Sequence, residues 1–315
     1  MKRFFIYIIS VLLPLLLFGG VLELITGIIP NSYSYKYNYV KTHGDRIEVL
    51  AIGHSQLYDG IKPKSFDLPS FNLCNSAQDY TDDYYLFREL LPYMPNLRVV
   101  IMPIGYDDVT TITNDSNLSL SDRSCYYHKY MNLDYDGQVP VKYRFECLDP
   151  LRASKKIFKY YILNSDIVGC DSLGRRSTHY LRNKKHKLGY EKFIERYTLK
   201  EFDYKKLRLN KEKHLLLIID MLKKKNISLL LVSPPFYWNC GFSDINVVQM
   251  RFIKDYIANL CKKYSVQYIN MDNMDKDTTF TYDDFYDEAH LSELGAEKFT
   301  SVLNNCIFDS LRNSR

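Results

Sequence analysis

Short apolar runs recur along the chain and predict β-strands. The clearest runs cover residues 47–52, 97–105, 227–235 and 266–271. Continuous apolar runs of this length are typical of strands buried on both faces, as in parallel sheets. The stretches between them have helical character and predict helices over 82–94, 211–225, 247–264 and 292–308. Strands that alternate with helices indicate an α/β fold, here a three-layer α/β/α sandwich around a mostly parallel sheet of flavodoxin-like type.

The N-terminus carries a much longer apolar stretch. Lys2 and Arg3 precede 26 residues, 4–29, in which Glu23 is the only charged side chain. About 20 apolar residues span a bilayer as a helix, whereas the apolar core of a signal peptide has about 7–15. We therefore predict a transmembrane anchor over 1–30, with a cleaved signal peptide as the alternative. Since the basic residues come first, the rest of the chain should lie outside the cytoplasm, in the periplasm or at the cell surface.

The remainder divides by composition into three parts. A polar, Tyr-rich linker is predicted at 31–46, and an α/β domain at 47–315. An insertion at about 110–210 interrupts this domain, because it is polar and lacks long apolar runs. Within the insertion, residues 175–187 contain six Lys or Arg in thirteen positions. Such charge runs are usually solvated loops, and a docking patch for an anionic glycan or the membrane surface is the alternative.

The hydrophobic content, the net charge and the cysteine pattern limit the classes of function that the sequence indicates. Of 315 residues, 46% are hydrophobic, which suffices for one large domain, and the net charge of +5 does not indicate a nucleic-acid partner. The seven cysteines are scattered without a Cys-x-x-Cys pair, so no metal site and no cofactor are predicted. Cys125 with Cys147, or Cys170 with Cys240, are candidate bridges that the sequence leaves open.

Polar residues whose side chains are suited to catalysis follow the predicted strands. Ser55 comes directly after the first strand, behind a glycine, and a second polar block, Asn75 to Gln78, follows the next strand. Asp287 and His290 stand three residues apart, just before the last predicted helix. The carboxyl ends of parallel strands meet at one edge of the sheet, so these groups should converge. A neutral imidazole held by a carboxylate can activate a serine hydroxyl as a nucleophile.

These segments resemble a known superfamily. Gly-x-Ser in "GHSQLYDGIKP", the Asn-containing "FNLCNSAQDY" and Asp-x-x-His in "FYDEAHLSELGAEKFT" are similar to the motifs of the SGNH (GDSL-like) hydrolases. The resemblance is greatest to the membrane-anchored bacterial branch with alginate O-acetyltransferase-like or D-alanyl-lipoteichoic-acid-protein-like domains. It covers residues 47–108 and 213–308 and leaves the insertion unexplained.

The resemblance implies a catalytic triad. Ser55 would be the nucleophile, His290 the base and Asp287 the carboxylate that orients it. The family stabilises the oxyanion with the serine backbone N–H, a glycine backbone N–H from the second block and an asparagine side chain from the third. The residue in the place of that glycine is Ala77, which can still donate its N–H.

The third block departs from the family pattern. Where the family has Gly-x-Asn-Asp, this chain has "IGYD" at 104–107, so the asparagine donor is missing. Asn75, Gln78 or Tyr106 are the candidate replacements. His54, next to the serine, is interpreted as a structural or substrate-facing residue rather than a second base.

The resemblance implies an exported, membrane-tethered serine esterase or O-acyltransferase. Its expected substrate is an O-acylated, above all O-acetylated, cell-surface polysaccharide, and a membrane-bound acyl donor protein is a further candidate partner. The alternative is a catalytically silent SGNH-like binding or assembly subunit of a polysaccharide modification or export system. The missing asparagine favours the alternative, and the intact Ser55, Asp287 and His290 argue against it.

Overall fold

The computed structural model describes residues 2–110, 123–165, 168–177, 203–237, 244–272 and 280–313. The chain forms two compact units. Unit 1 consists of Met1–Tyr39 and Ser119–Gly169, and unit 2 of Val40–Leu118 and Cys170–Arg315. The segment predicted as an insertion therefore contributes to both units.

The helices and strands are numbered in chain order over the described residues. The helices are α1 (Lys2–Ile28), α2 (Ser32–His43), α3 (Ser55–Gly60), α4 (Tyr80–Leu90), α5 (Ser124–Met131), α6 (Pro150–Ile157), α7 (Glu212–Lys224), α8 (Asp244–Tyr264) and α9 (Glu293–Asn313). The strands are β1 (Val49–Ala51), β2 (Ser70–Asn72), β3 (Val99–Pro103), β4 (Val109–Thr110), β5 (Arg208–Leu209), β6 (Ser228–Ser233) and β7 (Gln267–Asn270).

The central feature of unit 2 is a five-stranded sheet in which every pair of neighbours is parallel, in the order β2-β1-β3-β6-β7. Helices flank it, α4 packing on α7 and α3 on α9. The α/β fold predicted from the alternating pattern is confirmed. β4 and β5 form a separate two-stranded antiparallel sheet. Counted within the main sheet, the strand order is 2-1-3-4-5, which places a topological switch point between β1 and β3.

The switch point is closely packed. Leu50 of β1 and Val100 of β3 are paired and fully buried. Gly53 follows β1 with φ +134°, and a Cβ there would lie 2.3 Å from Pro103 Cδ at the end of β3. Only glycine tolerates both this backbone conformation and this approach. The chain can therefore leave β1 sharply, directly over the end of its neighbour.

The segment 31–46, predicted as a linker, contains helix α2 and a 3₁₀ turn, Gly44–Arg46. The backbone N–H of Ser34 donates to Asn31 Oδ1 at 3.0 Å, which caps the first turn of α2. Tyr33 also stacks on Tyr126 of unit 1, with ring centroids 5.3 Å apart. Tyrosine hydroxyls made this stretch look polar, yet the rings supply apolar contact area, and this explains the helix.

Helix α1 contains a stretch, Ile6–Ile28, that is long and apolar enough to cross a membrane. Its apolar side chains from Phe4 to Phe18 are largely exposed. Its last turns instead contact the rest of unit 1, where Glu23 Oε1 pairs with Lys129 Nζ at 2.5 Å.

A buried ionic cluster forms the centre of unit 1. Glu146 is 4% exposed, and its carboxylate accepts from Tyr130 Oη at 2.7 Å, Lys129 Nζ at 3.0 Å and Lys156 Nζ at 3.1 Å. Burial alone would raise the pKa of Glu146, but these three donors outweigh it and lower the pKa. Lys129 also holds Glu23, so the cluster ties α1 to α5 and to the turn at Glu146. Each member is satisfied, as a buried charge requires.

The candidate bridge between Cys125 and Cys147 is absent, since both are free thiols. Burial raises the pKa of Cys125 to about 11, so this thiol stays protonated and unreactive at neutral pH. Cys240 and most of the basic segment 175–187 lie outside the described residues.

Candidate active site

Ser55 lies at the switch point of the sheet. It follows β1 through Gly53 and is the first residue of α3, with His54 as the N-cap. The Nδ1 atom of His54 accepts from the backbone N–H of Gln56 at 3.4 Å, which is a long capping contact. The first backbone N–H groups of a helix have no acceptor within the helix, so that of Ser55 points away from α3. The hydroxyl and its own N–H are thereby presented together at the carboxyl edge of the sheet.

His290 and Asp287 lie on a tight turn that is closed by an isolated bridge between Phe285 and Leu291 and is followed by α9. Asp287 Oδ1 accepts from the backbone N–H groups of Ala289 at 3.0 Å and His290 at 2.8 Å. These two bonds fix the carboxylate within its own turn. The spacing of three residues is thus what lets one side chain shape the loop and also reach the imidazole.

The three predicted residues form one hydrogen-bonded chain. His290 Nδ1 lies 2.8 Å from Asp287 Oδ1 and 2.9 Å from Oδ2, and Nε2 lies 2.9 Å from Ser55 Oγ. An ionised carboxylate only accepts, so Nδ1 carries the proton of the neutral ring, and Nε2 is left to accept from the serine hydroxyl. This is the arrangement by which an imidazole removes the proton of a serine nucleophile.

The surroundings favour charge separation along this chain. Burial alone would raise the pKa of Asp287, but the hydrogen bond and charge of His290 and the two backbone N–H groups lower it. Burial acts to lower the pKa of His290, and the hydrogen bond and charge of Asp287, then the charge of Asp59, raise it overall. The carboxylate stays ionised while the imidazole becomes a stronger base, as proton transfer from a hydroxyl requires.

A second carboxylate stands beside the triad, which sequence reasoning missed. Asp59 is 3% exposed, and its Oδ2 lies 3.9 Å from His290 Nε2. Burial raises the pKa of Asp59, opposed by the charges of Arg176, His290 and Arg175. Asp59 comes four residues after Ser55, one turn on along the same helix face, and that spacing was the available signal. An acidic residue buried at that position is difficult to explain without a positive neighbour.

Arg176 supplies that neighbour. Its Nε lies 3.1 Å from Asp59 Oδ1, its Nη2 donates to Ser76 Oγ, and its guanidinium stacks over the ring of Tyr58 at 4.6 Å. The adjacent Arg175 donates from Nε and Nη2 to the backbone carbonyl of Asp59, at 3.1 and 3.0 Å. The first two residues of the basic segment 175–187 are therefore built into the site rather than solvated.

The predicted oxyanion residues lie in the segment that follows β2. Asn75 and Gln78 are both buried, and Ala77 adopts a left-handed conformation with φ +50°. Asn75 Nδ2 donates to Gln78 Oε1 at 3.1 Å, and Gln78 Nε2 donates to Asp83 Oδ1 at 2.6 Å. One donor of each amide is therefore committed to this relay. This relay fixes the orientation of both side-chain amides in the segment that follows β2.

The third block has a structural role. Tyr106 is buried, and its hydroxyl lies 3.4 Å from Gln249 Oε1, a long contact that directs it toward α8. Asp108 accepts from the backbone N–H of Gly105 at 2.8 Å and lies 3.9 Å from His54 Nε2. Of the two roles predicted for His54, structural or substrate-facing, these contacts favour the structural one.

A scan against protein-family models finds no match to this chain, and a search of curated proteins finds no significant match either. The site is therefore interpreted from its own geometry. Among the described residues, no cluster of His, Cys, Asp and Glu side chains could hold a metal ion.

Proposed function

We propose that this protein is an SGNH-like serine esterase or O-acyltransferase with Ser55 as nucleophile, His290 as base and Asp287 as the group that orients it. The observation that carries the proposal is the continuous chain from Ser55 Oγ through both imidazole nitrogens to Asp287, in which every contact is 2.9 Å or shorter. Its position at the switch point of a parallel sheet, where ligands of open α/β folds bind, supports the same function.

The proposed reaction has two steps, acylation of Ser55 and deacylation of the acyl-serine. In the first, Ser55 Oγ attacks the ester carbonyl carbon while its proton moves to His290 Nε2, and Asp287 stabilises the imidazolium. The bond from the acyl carbon to the leaving alcohol oxygen then breaks, and that oxygen takes the proton from Nε2. In the second step, water or a sugar hydroxyl attacks the acyl-serine, gives its proton to Nε2, and Ser55 Oγ leaves and recovers it.

Developing negative charge on the carbonyl oxygen requires donors. The backbone N–H groups of Ser55 and Ala77 and the side chain of Asn75 are the proposed set, with Gln78 holding Asn75 in place. The proposed substrate is an O-acetylated cell-surface polysaccharide. The motif resemblance and the apolar helix α1, through which the chain would be tethered to a membrane, support this substrate class.

Three variants test the proposed activity on a nitrophenyl acetate and on an acetylated glycan. Ser55→Ala and His290→Ala should each reduce turnover by at least about 10³-fold, and the double variant should lose little more, because triad residues act as a unit. Ser301→Ala, an exposed serine on α9, is the control and should keep full activity. Parent-like turnover in both triad variants would contradict the proposal and favour a catalytically silent binding subunit.

A further inference from the structure

Unit 1 exposes a row of large apolar side chains at helical spacing. Leu148, Leu151, Phe158 and Ile162 are 53%, 76%, 52% and 65% exposed. They fall on α6 and its flanks, since the chain continues beyond α6 into a π-helical turn, Phe158–Ile162. Leu151, Phe158 and Ile162 are separated by seven and four residues, and positions so separated share one side of a helix. Leu148 precedes α6 in a 3₁₀ turn, Glu146–Leu148. These four side chains are called the α6 apolar face.

The opposite side of the same helix faces inward. Ala153 is buried, and Lys156 Nζ donates to Glu146 of the buried ionic cluster and to the backbone carbonyl of Thr26 at 3.0 Å. The orientation of α6 is therefore fixed by buried charge pairs. Its apolar residues are directed outward by the packing of unit 1 and are not exposed through fraying of the helix.

Contacts within unit 1 place this segment beside the last turns of α1. The backbone N–H of Cys147 donates to Glu23 Oε2 at 2.9 Å, and its Sγ lies 3.9 Å from the position of a Cβ built on Gly19. Leu148 directly follows this anchored residue. The α6 apolar face thus begins at the level of Gly19 to Glu23 along α1.

That level lies in the last turns of the apolar stretch, which runs to Ile28, and it is where the uncharged part of that stretch ends. Nineteen uncharged residues separate Arg3 from Glu23. At 1.5 Å per residue they span about 28 Å, close to the roughly 30 Å of a bilayer hydrocarbon core. Glu23 is paired with Lys129, so its charge is compensated near the end of the apolar stretch. Residues at the level of Glu23 would then lie at the membrane–water interface.

The charges around the face suit an anionic lipid surface. Lys155 stands four positions after Leu151, on the same side of the helix, and Lys142, Arg144 and Lys159 are exposed in the same stretch of chain. The stem of a lysine can lie along an apolar surface while its ammonium group reaches water or the headgroups. Apolar residues and basic residues together are typical of helices that lie in the plane of a membrane interface. Continuity with α1 in the same compact unit distinguishes this face from scattered surface leucines.

We propose that the α6 apolar face inserts into the headgroup region of the bilayer beside α1, so that unit 1 contacts the membrane through both α1 and this face. The inference rests on the proposed anchoring by α1 and is independent of the esterase chemistry. It gives a function to a part of the predicted insertion that the active site does not use.

Depth-dependent quenching of tryptophan fluorescence tests the proposal. The full chain has a single Trp, at position 238, which is first replaced by Phe. Single-Trp variants Leu151→Trp and Phe158→Trp are reconstituted in phosphatidylcholine–phosphatidylglycerol vesicles that contain lipids brominated at shallow or deep acyl positions. Both should be quenched, and more strongly by the shallow bromines. Leu16→Trp within α1 should be quenched most strongly by the deep bromines.

The matched control is Asn38→Trp, an exposed position on α2 in the same unit, which should not be quenched. If Leu16→Trp is quenched while the two variants on the face behave like Asn38→Trp, the proposal is overturned and the anchor stands. If Leu16→Trp is not quenched, the anchor is wrong and the inference falls with it. Nitrophenyl acetate hydrolysis is measured in each variant, so a failure of the esterase proposal is recognised separately.

Discussion

Replacement of Asp287 by Asn tests the role of the carboxylate while the shape of the side chain is kept. In the parent, Oδ1 already accepts from the backbone N–H groups of Ala289 and His290, so the carbonyl oxygen of an asparagine should occupy that position. Its NH₂ group would then replace Oδ2, 2.9 Å from His290 Nδ1. A donor facing Nδ1 favours the tautomer that carries its proton on Nε2, and that proton would point at Ser55 Oγ.

The magnitude follows from the loss of the base. With a proton on Nε2, the imidazole cannot accept from the Ser55 hydroxyl 2.9 Å away. An isosteric Asp to Asn change in a Ser-His-Asp triad costs on the order of 10⁴ in kcat, which corresponds to about 5.4 kcal/mol of barrier. Because the two backbone hydrogen bonds to Oδ1 survive, the fold of the turn and the thermal unfolding midpoint should change little.

Steady-state hydrolysis of nitrophenyl acetate over a range of pH measures this effect. Asp283→Asn, at an exposed position on the segment leading into the same turn, makes the same chemical change away from the imidazole and should leave kcat unchanged. A loss of less than tenfold in Asp287→Asn, with the fold intact, would refute the assignment of Asp287 as the orienting carboxylate.

Three further expectations concern the site and its support. Only the neutral imidazole accepts a proton, so kcat should fall as the pH drops through the raised pKa of His290. Asp59→Asn removes one cause of that raised pKa and should move the acid limb of the pH–kcat profile to lower pH. An unchanged acid limb would contradict the role of Asp59. Asn75→Ala should lower kcat by about 10²–10³-fold with little change in KM if this side chain donates to the oxyanion, whereas a loss confined to KM would exclude that role. Gly53→Ala should destabilise unit 2 by at least about 1–3 kcal/mol through backbone strain, and the contact of the new Cβ with Pro103 should add to this loss. Gly105→Ala, which has open space around its Cβ, should not destabilise the unit. Equal thermal unfolding midpoints of the two variants would contradict the close packing at the switch point.

Most strands of the sheet were predictable because a strand buried on both faces has a continuous run of apolar residues in the sequence. The runs at 47–52, 97–105, 227–235 and 266–271 each contain a strand of the parallel sheet. Strand β2 was located only through the polar block that follows it. At three residues it is too short for an apolar run of its own.

The ends of the helices were predicted less well. The helix predicted over 82–94 spans Tyr80–Leu90 instead. Asp79 caps it two residues early by accepting from the N–H groups of Thr81 and Asp82. Pro92 then falls in a separate 3₁₀ turn, Leu91–Tyr93. Local capping chemistry and proline decided both boundaries, whereas the apolar pattern set only the centre of the helix.

The candidate site was predicted where its chemistry is local. Asp287 and His290 stand on one turn, and their pairing needs no long-range information. The approach of Ser55 could be anticipated from the parallel topology alone. The contact of Arg176 with Asp59 could not, because it joins residues more than a hundred positions apart across a segment without periodicity.

The division of the insertion between two units was equally invisible in the sequence. It depends on the buried ionic cluster around Glu146, whose members come from α1, α5 and α6. Charged residues in a polar stretch normally indicate solvent exposure, and only the three-dimensional pairing shows that these are buried.

The most direct test of the central claim is covalent labelling of the intact protein with a serine-directed fluorophosphonate, followed by peptide mapping. We expect one adduct, on Ser55, that forms fastest above the pKa of His290 and is lost in His290→Ala, because the hydroxyl then has no base 2.9 Å away. An adduct on another serine, or no adduct at all on a protein whose fold is intact, would contradict the claim that Ser55 is a nucleophile.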